Sequence, residues 1–551
     1  MAVASALFSS APMAQDTSEG AQTVREEVIV TATRREESVQ DIPINITAVG
    51  SSKIESQRLE NLSDIARRVP GLTVVQQGNR SSNVTTVRGL NTSSVTAQDG
   101  ANDGGGTVST YLGDIPFFVD LDLNDLNRVE VLIGPQGTLY GAGTLGGAIR
   151  YIPNKPMSDE MTISVRGDVY DLSEADKLGS DFGGTINIPL IEDKLALRAS
   201  LDYDDDPGFI DYTRIVRNPG ISMAAPDLGD PVAVRQNLRT KEDADYLETL
   251  AGRVALRYTG DAIDTTLTYY YQDREAGGRT INHQDASGTG QYEAAHRYEE
   301  PADIENELVS LEFIADLGFA EFTSATGYGE YTEEGQRDQT DLLLALFGFG
   351  DLYGYGYDTF PGFAAFTRED TEQETFTQEL RLVSTGDGPV NWIVGAFYSD
   401  FEEEGQSLEF TPGFMDYLID EIGFSPLSDV SQAFFDANGP LEYIEVGTED
   451  REELAVFGEI GIELGAWQAT IGARWFEYDV EAAGGFQTPL INIAFDEPQT
   501  ADALAQSVSP VVQTNEADDD DVILKFNTSY QFSDGVMAYA TVSEGYRNGV
   551  A

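Results

Sequence analysis

The sequence predicts a mainly β protein, with a small α/β region at the N-terminal end followed by a transmembrane antiparallel β-barrel. Three observations predict it. From Met161 onward apolar and polar residues alternate with period two, the pattern of strands with one face apolar and one face polar. The inferred strands are joined alternately by tight turns and by long segments, the asymmetry of a barrel with short turns on one side of a membrane and long loops on the other. No apolar run reaches 18 residues, so no helix is expected to cross a bilayer, whereas a barrel strand carries only a weak alternating signal.

Composition narrows the function. The chain has 551 residues, far more than one ordinary core accommodates. Its formal charge is -62, from 95 acidic and 33 basic residues, a surface that repels phosphate backbones and argues against nucleic acid as a partner. There is no cysteine, which excludes disulfides and thiolate metal sites and is compatible with the periplasm or outer membrane. His283 and His296 are the only histidines, too few for a histidine-based centre. No serine-histidine-acid or metal constellation is present, so neither an enzyme nor a bound cofactor is expected.

Taken from the N-terminus, "MAVASALFSSAPMAQ" has the apolar core and small-residue end of a secretory signal. The basic stretch that should precede it is missing, the first cation being Arg25. Residues 1–14 are therefore read as a signal-peptide remnant cut near Ala14, with a disordered tail as the alternative. In the segment 15–37, "EVIVTA" is an exposed-looking run of β-branched residues that could add as a strand to another protein's sheet edge. The alternative is an ordinary edge strand of the domain that follows.

Leu59, Leu62, Ile65, Ala66 and Val69 repeat at helical spacing and predict a core-facing helix that stops before Pro70. Between Gly78 and Gly106 the chain is rich in Ser, Thr, Asn, Asp and Gly, a long polar stretch suited to facing a ligand. Then comes "VEVLIGPQGTLYGAGTLGGAIRYIPNKP", in which Gly141, Gly143 and Gly146 have dinucleotide-binding spacing, with Asp159 downstream. That motif requires a helix to open within it. Here Ile149, Tyr151 and Ile152 favour a strand, and Pro153 and Pro156 would break a helix. The glycines therefore serve tight turns and close backbone approach.

In the barrel region, "VILKFNTSYQF" places Val522, Leu524, Phe526, Tyr530 and Phe532 on one face and Lys525, Asn527, Ser529 and Gln531 on the other. In "WQATIGARW", Trp467 and Trp475 lie on the apolar face, roughly 26 Å apart at about 3.3 Å per residue, as the two aromatic girdles of an apolar band would be. Tight turns are expected near Ile191–Asp193, Gly260–Ala262, Asp316–Gly318, Thr385–Gly388, Gly465–Ala466 and Ser533–Gly535, with long stretches such as Asp206–Leu247, Glu333–Asp370 and Glu404–Asp450 between them. About 13 strands result, an odd number where barrels of this kind carry an even one.

Acidic stretches at Asp202–Tyr212 and Glu516–Asp521 lack the spacing of a defined ion loop and read as solvated faces. The segment Leu342–Phe366 interleaves glycine with Phe349, Tyr353, Tyr355, Tyr357 and other aromatics. Such rings could stack on a ligand or pack on one another, and the sequence leaves both open.

The glycine stretch resembles the end of the plug domain of TonB-dependent outer-membrane receptors, and other motifs match that family in its order. "EEVIVTATRREE" (Glu26–Glu37) resembles the TonB box and its basic follower. "LSDIARRVPGLTV", "TTVRGLN" and "GDIPF" (Gly113–Phe117) resemble plug elements, and "TQELRLVS", "AVFGEIGIEL" and "TVSEGYRNG" resemble barrel strands. Two departures mark divergence: Ile133 stands where the family usually carries arginine, and Gly113-Asp114 where many members read Asp-Gly.

The resemblance implies an α/β plug over 38–156 inside a barrel that begins at 157, has about 22 strands when complete, and is cut short here at its C-terminal end. It implies that Val28, Ile29, Val30, Thr31 and Ala32 meet a TonB-type periplasmic energy transducer. Asn79, Arg80, Asn91, Asp99 and Asn102 would face the ligand from the plug, and Phe349, Tyr353, Tyr355 and Tyr357 from an extracellular loop. The implied setting is the Gram-negative outer membrane, with its lipid and lipopolysaccharide as neighbours. The implied cargo is a ferric siderophore, then an oligosaccharide or a cobalamin; a passive porin or adhesin barrel is the alternative outside this class.

Overall fold

A computed structural model describes residues 28–59, 61–75, 78, 84–90, 106–117, 124–347, 357–386, 388–533 and 535–549. The N-terminal domain is built on a five-stranded sheet in the order Ile46–Gly50, Leu126–Ile133, Gly147–Pro153, Val108–Leu112, Ile115–Pro116. The two central strands are antiparallel, with Val131 opposite Ile149. Val129, Val131, Ile149 and Tyr151 are buried, as strands covered on both faces must be. The expected helix resolves into two short ones, Ser51–Gln57 and Leu62–Ala66, separated where Arg58 takes a left-handed conformation. Asn61 caps the second, its side chain accepting from the Asp64 N–H. Leu59, Leu62, Ile65, Ala66 and Val69 all enter the plug core, so the stripe was assigned to the right face.

Thirteen strands, from Thr162–Asp171 to Val536–Ser543, pair in chain order as one antiparallel sheet. The plug lies against its inner face: Leu308 and Ala325 of the barrel complete the plug's apolar core. The alternation is inverted relative to a soluble sheet. Val522, Leu524, Phe526, Tyr530 and Phe532 are exposed, whereas Lys525, Asn527 and Ser529 are buried. Apolar residues outward and polar ones inward is the arrangement that lipid demands.

The outward apolar band is short compared with the strands. On Leu441–Leu464 it runs from Leu454 through Val456, Ile460 and Ile462 to Leu464. Ten residues span about 33 Å along a strand at about 3.3 Å each, or roughly 25 Å of height once tilted. Above Leu454 the outward positions are Glu452, Asp450 and Thr448, all exposed. The upper half of this strand therefore stands beyond the bilayer.

This changes part of the sequence reading. Stretches expected to be loops throughout, Glu333–Asp370 and Glu404–Asp450, begin and end as strand, in Ala320–Asp338, Phe366–Ser384, Val390–Phe410 and Leu441–Leu464. Alternation of charged with small polar residues above the band still pairs as a ladder. The loops left between them, together with residues 488–512, pack into an apolar cluster of their own that includes Leu343, Tyr357, Phe414, Leu418, Leu490 and Ile493. Tyr357, for which facing a ligand and packing on other rings were both open, is 2% exposed there and stacks on Phe363 at 4.5 Å between ring centroids. Self-packing wins at this position. Phe349, Tyr353 and Tyr355 lie outside the described residues.

Placing a cation at the centre of the band tests the membrane boundary. Ile460→Arg should cost about 2–4 kcal/mol of folding stability in lipid vesicles, and Thr448→Arg close to nothing. Equilibrium unfolding in denaturant measures both.

Candidate functional site: the docked N-terminal hairpin and the plug–barrel junction

The N-terminal run of β-branched residues is folded back. Ile29 and Val30 pair with Ser38 and Glu37 in a two-stranded hairpin. Among the five residues expected to form a free edge strand, Ile29 is exposed, Val28 and Thr31 are half-buried, and Val30 and Ala32 are buried. The reading of an exposed strand is corrected to that extent. A sequence rich in β-branched residues does not distinguish a free edge from one pinned against its own domain.

Side chains of the plug pin it, among them Arg128, whose Nη2 donates to Thr31 Oγ1 at 3.2 Å. The Thr31 N–H donates to Glu130 Oε1 at 2.9 Å, Arg150 Nη1 donates to Thr31 Oγ1 at 2.9 Å, and the Tyr140 hydroxyl donates to the Ala32 carbonyl at 2.7 Å.

The turn of the hairpin carries Arg34, whose guanidinium is 1% exposed and ion-paired with Asp114 of the plug and with Glu379 of the barrel wall, the latter at 3.0 Å. Asp114 also takes Arg150 at 2.8 Å and Arg381 of the barrel. Arg150 and Arg128 share Glu130, each at 2.7 Å. Four arginines thus meet three carboxylates in a buried node, and the Tyr140 ring lies 4.6 Å from the Arg34 guanidinium carbon.

Burial pushes the Asp114 carboxyl up, but Arg381, Arg34 and Arg150 together hold it well below the usual carboxylate range. Glu130 is lowered in the same way: burial opposes, while Arg150, Arg128 and the Thr31 N–H prevail. The Nε atoms of Arg34, Arg150 and Arg381 are buried with no hydrogen-bond partner among the described residues. The node is strong but incompletely satisfied.

A cavity of about 810 Å³ opens beside it between plug and barrel, lined by Arg34, Arg35, Asp114, Arg150, Ser310 and Arg381, among others. Thr31 of the hairpin reaches the same space.

The glycine stretch forms the second contact between plug and wall. A Cβ on Gly141 would lie 2.8 Å from Arg474 Nη2, and one on Gly137 would lie 2.9 Å from Gly545 Cα. The Gly143 N–H donates to the Tyr546 carbonyl at 2.9 Å. Arg474 is bound to Glu453 at 2.8 Å, and Tyr546 donates to the same carboxylate at 2.6 Å. The glycines bring the plug backbone within reach of the barrel, and the strand Gly147–Pro153 follows them where a nucleotide fold would need a helix.

Ile133, where the family pattern has arginine, is buried in the plug core. Sequence reasoning missed Asp114, Glu130, Arg150, Glu379 and Arg381. One signal was available: Glu130 stands between Val129 and Val131 and Arg150 between Ile149 and Tyr151, and a charge flanked by buried apolar residues needs a partner. Asn79, Arg80, Asn91, Asp99 and Asn102 lie outside the described residues. The geometry of the site ties three parts of the chain together.

The family model "TonB-dependent Receptor Plug Domain" matches residues 38–148, and the model "TonB dependent receptor-like, beta-barrel" matches residues 276–551. The chain belongs to the TonB-dependent receptor family. Receptors of this family lie in the Gram-negative outer membrane, where this chain is placed, and the family is one of receptors and transporters rather than enzymes.

The vitamin B12 transporter of Vibrio vulnificus is 31% identical over 138 residues, 25% of this chain and 22% of that protein. A hemin receptor of Yersinia enterocolitica is 35% identical over 129 residues, 23% of this chain and 18% of its own. The ferric yersiniabactin uptake receptor of Yersinia pestis superposes with a TM-score of 0.66 at 16% identity, over 92% of this chain and 65% of that one. The chain thus spans about two thirds of that receptor, and the stretch matched in the curated relatives is about a fifth of their length. These structural likenesses concern the fold.

Removing the node's hairpin arm should free the N-terminus. Arg34→Ala leaves Asp114 and Glu379 short of a buried partner, a loss of about 3–5 kcal/mol. A spin label on Ile29 should change from immobile to mobile. In the unsubstituted receptor the same label should stay immobile at pH 5. Because Asp114 is held below its usual range, its contribution is present at neutral pH and is lost only as the pH falls below about 4.

Proposed function

We propose that the receptor imports a large scarce nutrient by energised transport, and that its cargo is a ferric siderophore. The observation that carries the reading is the Arg34 bridge, because it joins the segment that resembles a TonB box to both the plug and the barrel wall. Tension applied to Val28–Ala32 would act first on Glu130, Tyr140 and Arg34, next to the 810 Å³ cavity through which the plug would part from the wall. A TonB-type transducer adding to this strand would need it undocked, since Val30 and Ala32 are buried while it is docked.

The cargo is supported by the likeness to a ferric yersiniabactin uptake receptor and to a hemin receptor. The net charge of -62 repels strongly anionic ligands, so a chelate carrying little net negative charge fits best. Cobalamin remains the second reading, on the likeness of the plug region to a vitamin B12 transporter.

Deleting Val28–Ala32 should abolish accumulation of ferric chelate in energised cells while leaving surface binding intact. Uptake undiminished by the deletion would instead identify a passive pore. Expression that rises under iron starvation would support the ferric cargo, and expression indifferent to iron would favour cobalamin.

A further inference from the structure

The apolar cluster at the extracellular end rests on two buried carboxyl groups with no counter-ion among the described residues. Glu409 ends the strand Val390–Phe410, and Glu442 begins the strand Leu441–Leu464 paired with it. Glu442 lies twelve residues above Leu454, the top of the outward apolar band, about 40 Å along the strand at about 3.3 Å per residue. The pair is therefore outside the membrane. Glu442 is 3% and Glu409 8% exposed.

Glu442 holds two loops at once. Tyr357, from the segment 357–365, donates its hydroxyl to Oε1 at 2.7 Å, and Thr411, from the loop 411–440, donates to Oε2 at 3.1 Å. Tyr357 is itself buried among Phe363 and Phe414, so the link reaches the middle of the cluster.

No cation among the described residues answers the pair. Tyr443 stands opposite Glu409 in register, and burial and Glu445 push its hydroxyl up to about 12. Arg368 lies over the Phe366 and Phe410 rings and makes no ion pair with either carboxyl. The helix Pro489–Asp496 brings Asp496, and the segment 414–422 brings Asp416, Asp420 and Glu421, all acidic. Two charges buried side by side without a partner are costly, whereas two neutral carboxyls are tolerated.

We propose that this loop cluster is a proton-dependent lid at the extracellular rim, closed while Glu409 and Glu442 carry protons and released when they ionise. Burial raises Glu442 to about 7 despite its two hydroxyl bonds, and burial with the neighbouring Glu442 raises Glu409 to about 8. Groups whose values are raised in the closed state stabilise it fully below the ordinary glutamate range. That stabilisation is lost as the pH rises through 7 to 8. The lid thus tightens in mildly acidic surroundings and loosens in alkaline ones.

Hydrogen exchange on the full-length receptor in detergent, corrected for the intrinsic pH dependence of amide exchange, tests this independently of the cargo. Opening measured at 357–365, 414–422 and 489–496 should increase at least about tenfold from pH 6 to pH 8, while the plug strands stay unchanged. Glu442→Gln, neutral at every pH, should flatten that rise, and Glu409→Gln should reduce it. Protection that does not vary with pH in the unsubstituted receptor would overturn the proposal. So would a Glu442→Gln profile as steep as the parent's, or protection at pH 8 restored by millimolar calcium, which would mark a cation site instead.

Discussion

Asp114 accepts from three arginines that reach it from three separate parts of the chain. Arg34 comes from the N-terminal hairpin, Arg150 from the plug sheet and Arg381 from the barrel wall. Its carboxylate is also the reason these guanidinium groups can be buried at all. Removing one partner from such a cluster leaves the others charged and dry, which costs far more than the cluster contributes as a whole. The hairpin, the plug and the barrel are therefore coupled by electrostatics that resist partial disassembly. Once the hairpin leaves, the same imbalance falls on the contact between plug and wall.

The barrel makes this necessary. Its outer face must be apolar, so its polar residues face inward and need partners that water or another protein layer supplies. The plug supplies some of them, as where Thr138 donates to Glu459, and the wall supplies others itself: Lys525 also contacts Glu459, and Arg474 binds Glu453 beside Gly141. Glycines at the junction let backbone meet side chain without a Cβ between them. Above the bilayer the constraint relaxes. There the strands run on with polar faces on both sides, and the loops between them build a separate apolar core.

Much of the fold was legible because it rests on local periodicity. Alternation from Met161 pointed to about thirteen strands and the stripe from Leu59 to Val69 located a core face, and both depend on side chains close in sequence. Tyr357 was ambiguous because an aromatic in a glycine-rich loop has the same sequence whether it packs inward or faces a ligand. The charged node was not legible for a different reason. Arg34 meets Asp114 across 80 residues and Glu379 across 345, and no spacing rule reaches that far. What could be read was the anomaly, a charge flanked by apolar residues in each of two strands, without the identity of its partners. The docking of Val28–Ala32 follows from that node, so it was hidden with it.

The central claim is that tension on the N-terminal segment is borne jointly by plug and barrel through Arg34. Single-molecule pulling on that segment, with the receptor held in a lipid bilayer, tests it most directly. If the account is right, Glu379→Gln lowers the force of the first rupture, although this residue belongs to the barrel and lies 345 residues from Arg34. A first rupture force unchanged by Glu379→Gln would show that the hairpin is held by the plug alone and would contradict the account.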